Sequence, residues 1–300
     1  MPVLDTVLLA LAASLCWGIA DFTAGLEART VALPTVLLFA QGVGLALALP
    51  IVALSGRPFP AAAPALAALG AGVAVITGLA CFYRALAAGT MSVVAPIAAT
   101  GVAIPVLVGV LGGDHLALIQ AFGMLAALLG VVLASRHPGA DATAADRRSH
   151  RNALGLAMVA AVAFGCYFLC AHVGARGGVA WLLVLAHITS VLGVLAIGSF
   201  AALSARARAA RHGRPVSSTR RALAVGDLGL LGLAGLLDFA ATGLYGIANR
   251  HGLLSVVAVA GSLYPVATVL LARTVLRERV ARSQALGVGL ALVGVALIAA

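Results

Sequence analysis

The side chains with the strongest claim to chemistry in this sequence are acids and one imidazole set inside apolar runs. Asp238 lies about sixteen residues into the run 222–246, three residues past Gly235, with Thr242 and Tyr245 following at +4 and +7 on the same helical face. A charge at the centre of a bilayer costs roughly 2.5–3.5 kcal/mol on insertion scales, so an acid kept there points either to function or to a partner. Two chemistries fit Asp238: a proton or cation acceptor in a cavity, or a hydrogen-bonded aspartate tying two helices together. His187 sits about nine residues into the run 179–201, and Gln41 occupies the same local frame earlier in the chain, Phe39-Ala40-Gln41 against Leu185-Ala186-His187 at an offset of 146. A histidine exchanges a proton near neutral pH, so this pair reads as substrate contacts on either side of a cavity, or as a neutral imidazole bonded to a carbonyl. Asp21 follows Trp17 by four residues and shares its helix face. It is the second proton-coupling candidate, or else an acid that snorkels to water. Trp17 lines a cavity or anchors an interface.

Those residues need helices long enough to cross a membrane, and the composition supplies little else. Of 300 residues 63% are apolar and 9% charged, whereas a soluble domain carries roughly 25% charged residues. Against the about 20 apolar residues a helical span requires, ten spans are expected: 4–24, 32–54, 63–86, 91–111, 116–135, 153–173, 179–201, 222–246, 253–273 and 281–299. The runs are continuous and far longer than barrel strands. No basic segment precedes the first run and Asp5 stands in its place, so it reads as a span rather than a secretory leader. Pro96, Pro105 and Pro265 fall inside spans four and nine and mark kinks or cavity-lining segments. Glycines at 226, 229, 232 and 235 predict close helix packing for span eight.

The chain also says part of itself twice. Tyr83 answers Tyr245 at an offset of 162; Gly89, Val93, Val94 and Ala95 answer Gly252, Val256, Val257 and Ala258 at 163; Asp114, Gln120, Gly123 and Gly130 answer Glu278, Gln284, Gly287 and Gly294 at 164. The polar stretch 136–151 divides the spans five and five. An odd number per copy makes the second enter the membrane from the opposite face, an inverted repeat of residues 1–135 and 152–300. All nineteen basic residues are arginines, and sixteen of them fall on one side of the expected topology, six in the linker 203–221. The positive-inside rule makes that side cytoplasmic and puts both termini outside. The net charge of +10 is spread between spans rather than gathered on one face, which argues against a nucleic-acid partner. Cys16, Cys81, Cys166 and Cys170 lie in apolar runs and read as free thiols, although Cys166 and Cys170 are one helical turn apart.

Trp17-Gly18, the duplicated acidic hinge with its Gln-x-x-Gly, and Ser255, Tyr264-Pro265, Glu278, Gln284 and Gly287 in the second copy resemble the EamA-type permeases of the drug/metabolite transporter superfamily. The first copy departs from the pattern, with Asp114 for the acidic residue and Gly101 where the proline is expected. The resemblance implies an all-α membrane protein of ten transmembrane helices in two inverted five-helix repeats, with a central cavity that moves small metabolites. It places Tyr264 with Trp17 among the cavity residues. The family is usually drawn with both termini in the cytoplasm, opposite to the arginine count.

No phosphate-cradling loop, H-E-x-x-H or G-x-S-x-G is present, and no span carries a His/Asp cluster. The reading is a secondary transporter in the plasma membrane, working by alternating access and linked to protons, with a small-molecule substrate and no cofactor, as a monomer or homodimer. Two other classes stand beside it. An intramembrane enzyme on a lipid-linked substrate needs catalytic polar residues clustered near one face. A non-transporting membrane subunit needs no polar-lined cavity, against which Gln41, His187 and Asp238 argue.

Overall fold

The computed structural model describes residues 3–111, 118–134, 144–212, 223–251, 254–277 and 282–299. Among these the chain is helical throughout, apart from short connections, as expected where hydrocarbon leaves backbone groups no partner but each other. The helices are α1 Val3–Glu27, α2 Leu33–Ser55, α3 Ala62–Ala88, α4 Met91–Ala99, α5 Ala103–Leu111, α6 Leu118–Ala134, α7 Ala144–Ala175, α8 Val179–His212, α9 Val225–Asn249, α10 Leu254–Gly261, α11 Tyr264–Val275 and α12 Arg282–Ala299. Eight spans among the described residues are long and apolar enough to cross a membrane, α4 and α5 together making one, and α10 and α11 another. The expected fifth and tenth spans fall on α6 and α12, of 17 and 18 residues. Asp114 and Glu278 of the duplicated hinge lie outside the described residues.

Two helices outrun the sequence-based bounds. α7 begins at Ala144, within the polar stretch, and α8 continues to His212 through Arg206, Arg208 and Arg211. Both extensions are Ala- and Arg-rich and free of Gly and Pro, so nothing in them stops a helix. Spans four and nine, by contrast, are broken at corresponding places. A 3₁₀ turn at Thr100–Val102 separates α4 from α5, and Ser262 and Leu263 separate α10 from α11. Hydroxyls take up carbonyls near each break: Thr100 Oγ1 donates to Ile97 O (2.7 Å) and Ser262 Oγ to Val259 O (2.8 Å).

The helix contacts come in pairs related by exchange of the two copies. α1 packs along α9 as α7 packs along α3; α2 meets α9 as α8 meets α3; α1 meets α10 and α11 as α7 meets α4 and α5. The remaining large contacts, α2 with α8, α6 with α12 and α4 with α11, join each span to its counterpart or to that of its own pair. The close approaches repeat as well. A Cβ on Gly72 would meet Ala186 O and Thr189, and one on Gly235, 163 residues later, would meet Ala40 O and Val43. Likewise Gly18 is seated on Tyr264 and Ala267, and Gly165 on Gly101 and Ile104. The expected glycine stripe of span eight is therefore narrower than its spacing suggests. Gly235 is a seat, while Gly226, Gly229 and Gly232 have open space around them.

Candidate functional site

Gly235 brings α9 against the backbone of α2, and one turn further Asp238 meets Gln41. Gln41 Nε2 donates to Asp238 Oδ2 at 3.2 Å, and His187 Nε2 stands 3.9 Å from the same oxygen. All three are buried, Gln41 and His187 at 2% exposure and Asp238 at 5%. His187 Nδ1 bonds Leu183 O at 2.7 Å. A carbonyl only accepts, so Nδ1 carries the hydrogen, and Nε2 is protonated only in the imidazolium. Nε2 has no hydrogen-bond partner among the described residues. Bare Nε2 facing a bare carboxylate sets lone pair against anion. One proton, on either group, turns that contact attractive. The imidazole fits there because position 44 is glycine: a Cβ would overlap the ring. Trp17 stands beside Asp238 in the lining of the same cavity.

Asp21, one turn beyond Trp17 on α1, does not snorkel. It is 6% exposed, and Tyr83 on α3 donates its hydroxyl to Asp21 Oδ1 at 3.1 Å. Inward burial costs less than reaching water here, because the phenol supplies the bond that water would.

Both acids line one cavity. Trp17, Asp21 and Asp238 form its α1–α9 wall, and Val75, Leu79, Phe164 and Phe168 form the opposite α3–α7 wall. Tyr264, immediately after the α10–α11 break, and Tyr167 complete it. The space for water centres is ≈ 30 Å³, room for one or two waters. Trp17 meets Tyr167 edge-on at 6.0 Å and Phe164 meets Tyr264 at 6.2 Å. The Tyr264 hydroxyl has no hydrogen-bond partner among the described residues, at 4% exposure.

Of the residues singled out in the sequence, Trp17, Asp21, Asp238 and Tyr264 meet at this cavity. Gln41 and His187 stand behind Asp238, holding its carboxylate rather than lining the space. Tyr245 packs behind Trp17 at 5.3 Å, and Thr242 touches Tyr167. Beyond Tyr245 a polar chain runs toward the helix ends: Asn249 Nδ2 donates to Tyr245 O (3.0 Å), His172 Nδ1 pairs with Asn249 Oδ1 (2.9 Å), and Arg176 Nη2 donates to His172 Nε2 (3.2 Å). Among the described residues no group of three His, Cys, Asp or Glu side chains is placed to hold a metal. Sequence reasoning missed Tyr83 as a partner of Asp21, and Phe164, Phe168 and Tyr167 as cavity lining. Extending the repeat into the first span of each copy finds two of them, since Phe164 and Phe168 hold the frame of Trp17 and Asp21.

A buried cavity between two copies of a helical unit, inside a chain of apolar spans, is the architecture of a membrane transporter. The EamA-like transporter family model matches residues 5–136 and 151–300, and the chain belongs to that family. The fold is also similar to that of a protein of known crystal structure, with a TM-score of 0.62 and 18% identity over 97% of this chain and 95% of the other. None of the curated proteins compared with the chain matches it.

Proposed function

We propose that this protein is a secondary transporter that moves a small metabolite across the plasma membrane by alternating access, linked to protons through Asp238. The observation that carries the reading is the Asp238 carboxylate, buried mid-helix at the cavity wall with Gln41 from one copy and His187 from the other at the same oxygen. A proton at this site changes how the two copies hold each other, and substrate that binds one protonation state is coupled to the gradient by linkage. We read α6 and α12 as the fifth and tenth spans, residues 1–135 and 152–300 as the two five-helix repeats, and the second repeat as inverted; the mirrored contacts and broken helices support this arrangement. The two carboxylates at the cavity wall, Asp21 and Asp238, support a transporter over a non-transporting subunit.

The test is transport in proteoliposomes with and without a pH gradient. Asp238→Asn keeps the shape and removes the proton site. It should abolish gradient-driven accumulation while leaving exchange at saturating substrate largely intact. His187→Gln should instead weaken apparent affinity. Normal accumulation by Asp238→Asn would overturn the coupling role and leave Asp238 a structural hydrogen-bonding group. The arginine-rich 203–221 segment is expected in the cytoplasm: a single cysteine there, in a background lacking the native cysteines, should resist an impermeant thiol reagent in intact cells. Ready labelling would reverse the orientation.

A further inference from the structure

The two walls of the cavity differ in kind, and the difference selects a class of ligand. Asp21 and Asp238 both face the space from the α1–α9 side, and no arginine lines it among the described residues. Aromatic faces surround the acids: Trp17, Phe164, Tyr167, Phe168 and Tyr264. A cation over such faces is attracted by the ring quadrupoles, most strongly by indole, and the attraction grows when water is excluded. The unpartnered, buried Tyr264 hydroxyl leaves a polar atom free at the cavity. An anion would meet two carboxylates. The carboxylate of a zwitterion would find no basic partner in the lining, since His187 stands behind Asp238.

We propose that the cavity binds an organic cation with an apolar body, its charged nitrogen between Asp21 and Asp238 and its body against the α3–α7 wall. This names the substrate class of the transporter reading and rests on it for the movement step alone. With ≈ 30 Å³ open to water centres, the space is too small for such a ligand as it stands, and binding separates the two walls. The cation displaces proton rather than joining it. The groups facing Asp238 are Gln41 on α2, His187 on α8, Trp17 and Asp21 on α1, Tyr83 on α3 and Tyr167 on α7; those facing Asp21 are Tyr83 on α3, Asp238 on α9 and Tyr264 on α11. Among them only His187 gains positive charge, so arrival of a fixed cation releases protons held by the acids and the imidazole.

The chain has two tryptophans. Trp181 packs on Phe59 and donates to Arg57 O, away from the cavity. Trp181→Phe therefore leaves Trp17 as the reporter in the purified full-length protein. Benzyltrimethylammonium should change Trp17 fluorescence saturably and release protons into weakly buffered solution. Its neutral isostere neopentylbenzene and the anion phenylacetate should do neither at the same concentration. Asp21→Asn and Asp238→Asn should each weaken the response by about tenfold or more. Tyr264→Phe, which keeps the ring, should weaken it by about threefold, and it decides the matter if either aspartate variant fails to fold. Equal or tighter binding of the neutral or anionic analogue, or no saturable response to the cation in folded protein, overturns the proposal. Cation binding without transport in liposomes instead overturns the transporter reading and leaves this one standing. Gradient-driven movement of an anion with no response to the cation does the reverse.

Discussion

The α1–α9 wall and the α3–α7 wall of the cavity occupy equivalent places in the two copies, yet they present different chemistry. Trp17 stands where the other copy has Phe164, Asp21 where it has Phe168, Asp238 where it has Val75, and Thr242 where it has Leu79. One wall carries both acids and the indole; the other is apolar apart from the Tyr167 phenol. The shell around them is repeated closely, since the glycine seats at 72 and 235, and at 18 and 165, recur with their partners. Duplication supplied a paired scaffold, and the chemistry sits where the copies have diverged. The acids also come from different spans of their copies, α1 and α9, and meet because those two helices pack on each other.

Moving the acid across the axis gives the largest expected effect. Asp238→Val should cut substrate exchange below saturation by about tenfold to a hundredfold, the loss of a charge-assisted contact of roughly 1.5–3 kcal/mol. Val75 lies one turn past Gly72, which is seated on the α8 segment holding His187, just as Asp238 lies one turn past Gly235, seated on the α2 segment holding Gln41. Adding Val75→Asp to Asp238→Val therefore offers the new carboxylate the same two partners with their roles exchanged. The double variant should recover part of the lost exchange in proteoliposomes, with the affinity ranking of substrates altered because the acid now stands on the other wall. A double variant no better than Asp238→Val would mean that the repeated scaffold does not extend to the site.

Much of this was legible in the chain. Continuous apolar runs gave the eight spans seen among the described residues, and the prolines of spans four and nine pointed to kinks there. Asp238 and Asp21 stood out because ionisable side chains are rare in apolar spans, while Tyr264 and the cavity reading of Trp17 came with the family resemblance. What stayed hidden depended on long-range packing. The Asp21–Tyr83 bond joins α1 to α3, and no local period announces it. Phe164, Phe168 and Val75 are apolar residues in an apolar chain, so only their mirror positions reveal them. Gln41 and His187 were expected to contact substrate across the cavity; their place behind Asp238 follows from which face of α9 the Gly235 seat turns inward.

The smallest effect concerns the seats themselves. Gly72→Ala would drive a methyl into Ala186 O and Thr189, backbone and a branched side chain on a packed helix. Gly235→Ala meets Val43 Cβ at 2.8 Å and Ala40 O at 3.0 Å, a looser fit. Both variants should lower thermal stability in detergent, by about 1–3 kcal/mol for overpacking, with Gly72→Ala the more damaged. Gly229→Ala, on the same helix as Gly235 but in open space, should be neutral or stabilising by up to about 1 kcal/mol through helix propensity. Unfolding monitored by intrinsic fluorescence measures all three. If Gly229→Ala destabilises as much as Gly235→Ala, the open stripe of α9 is packed in the assembled protein. The mirrored seats would then not be what distinguishes one glycine of this helix from another.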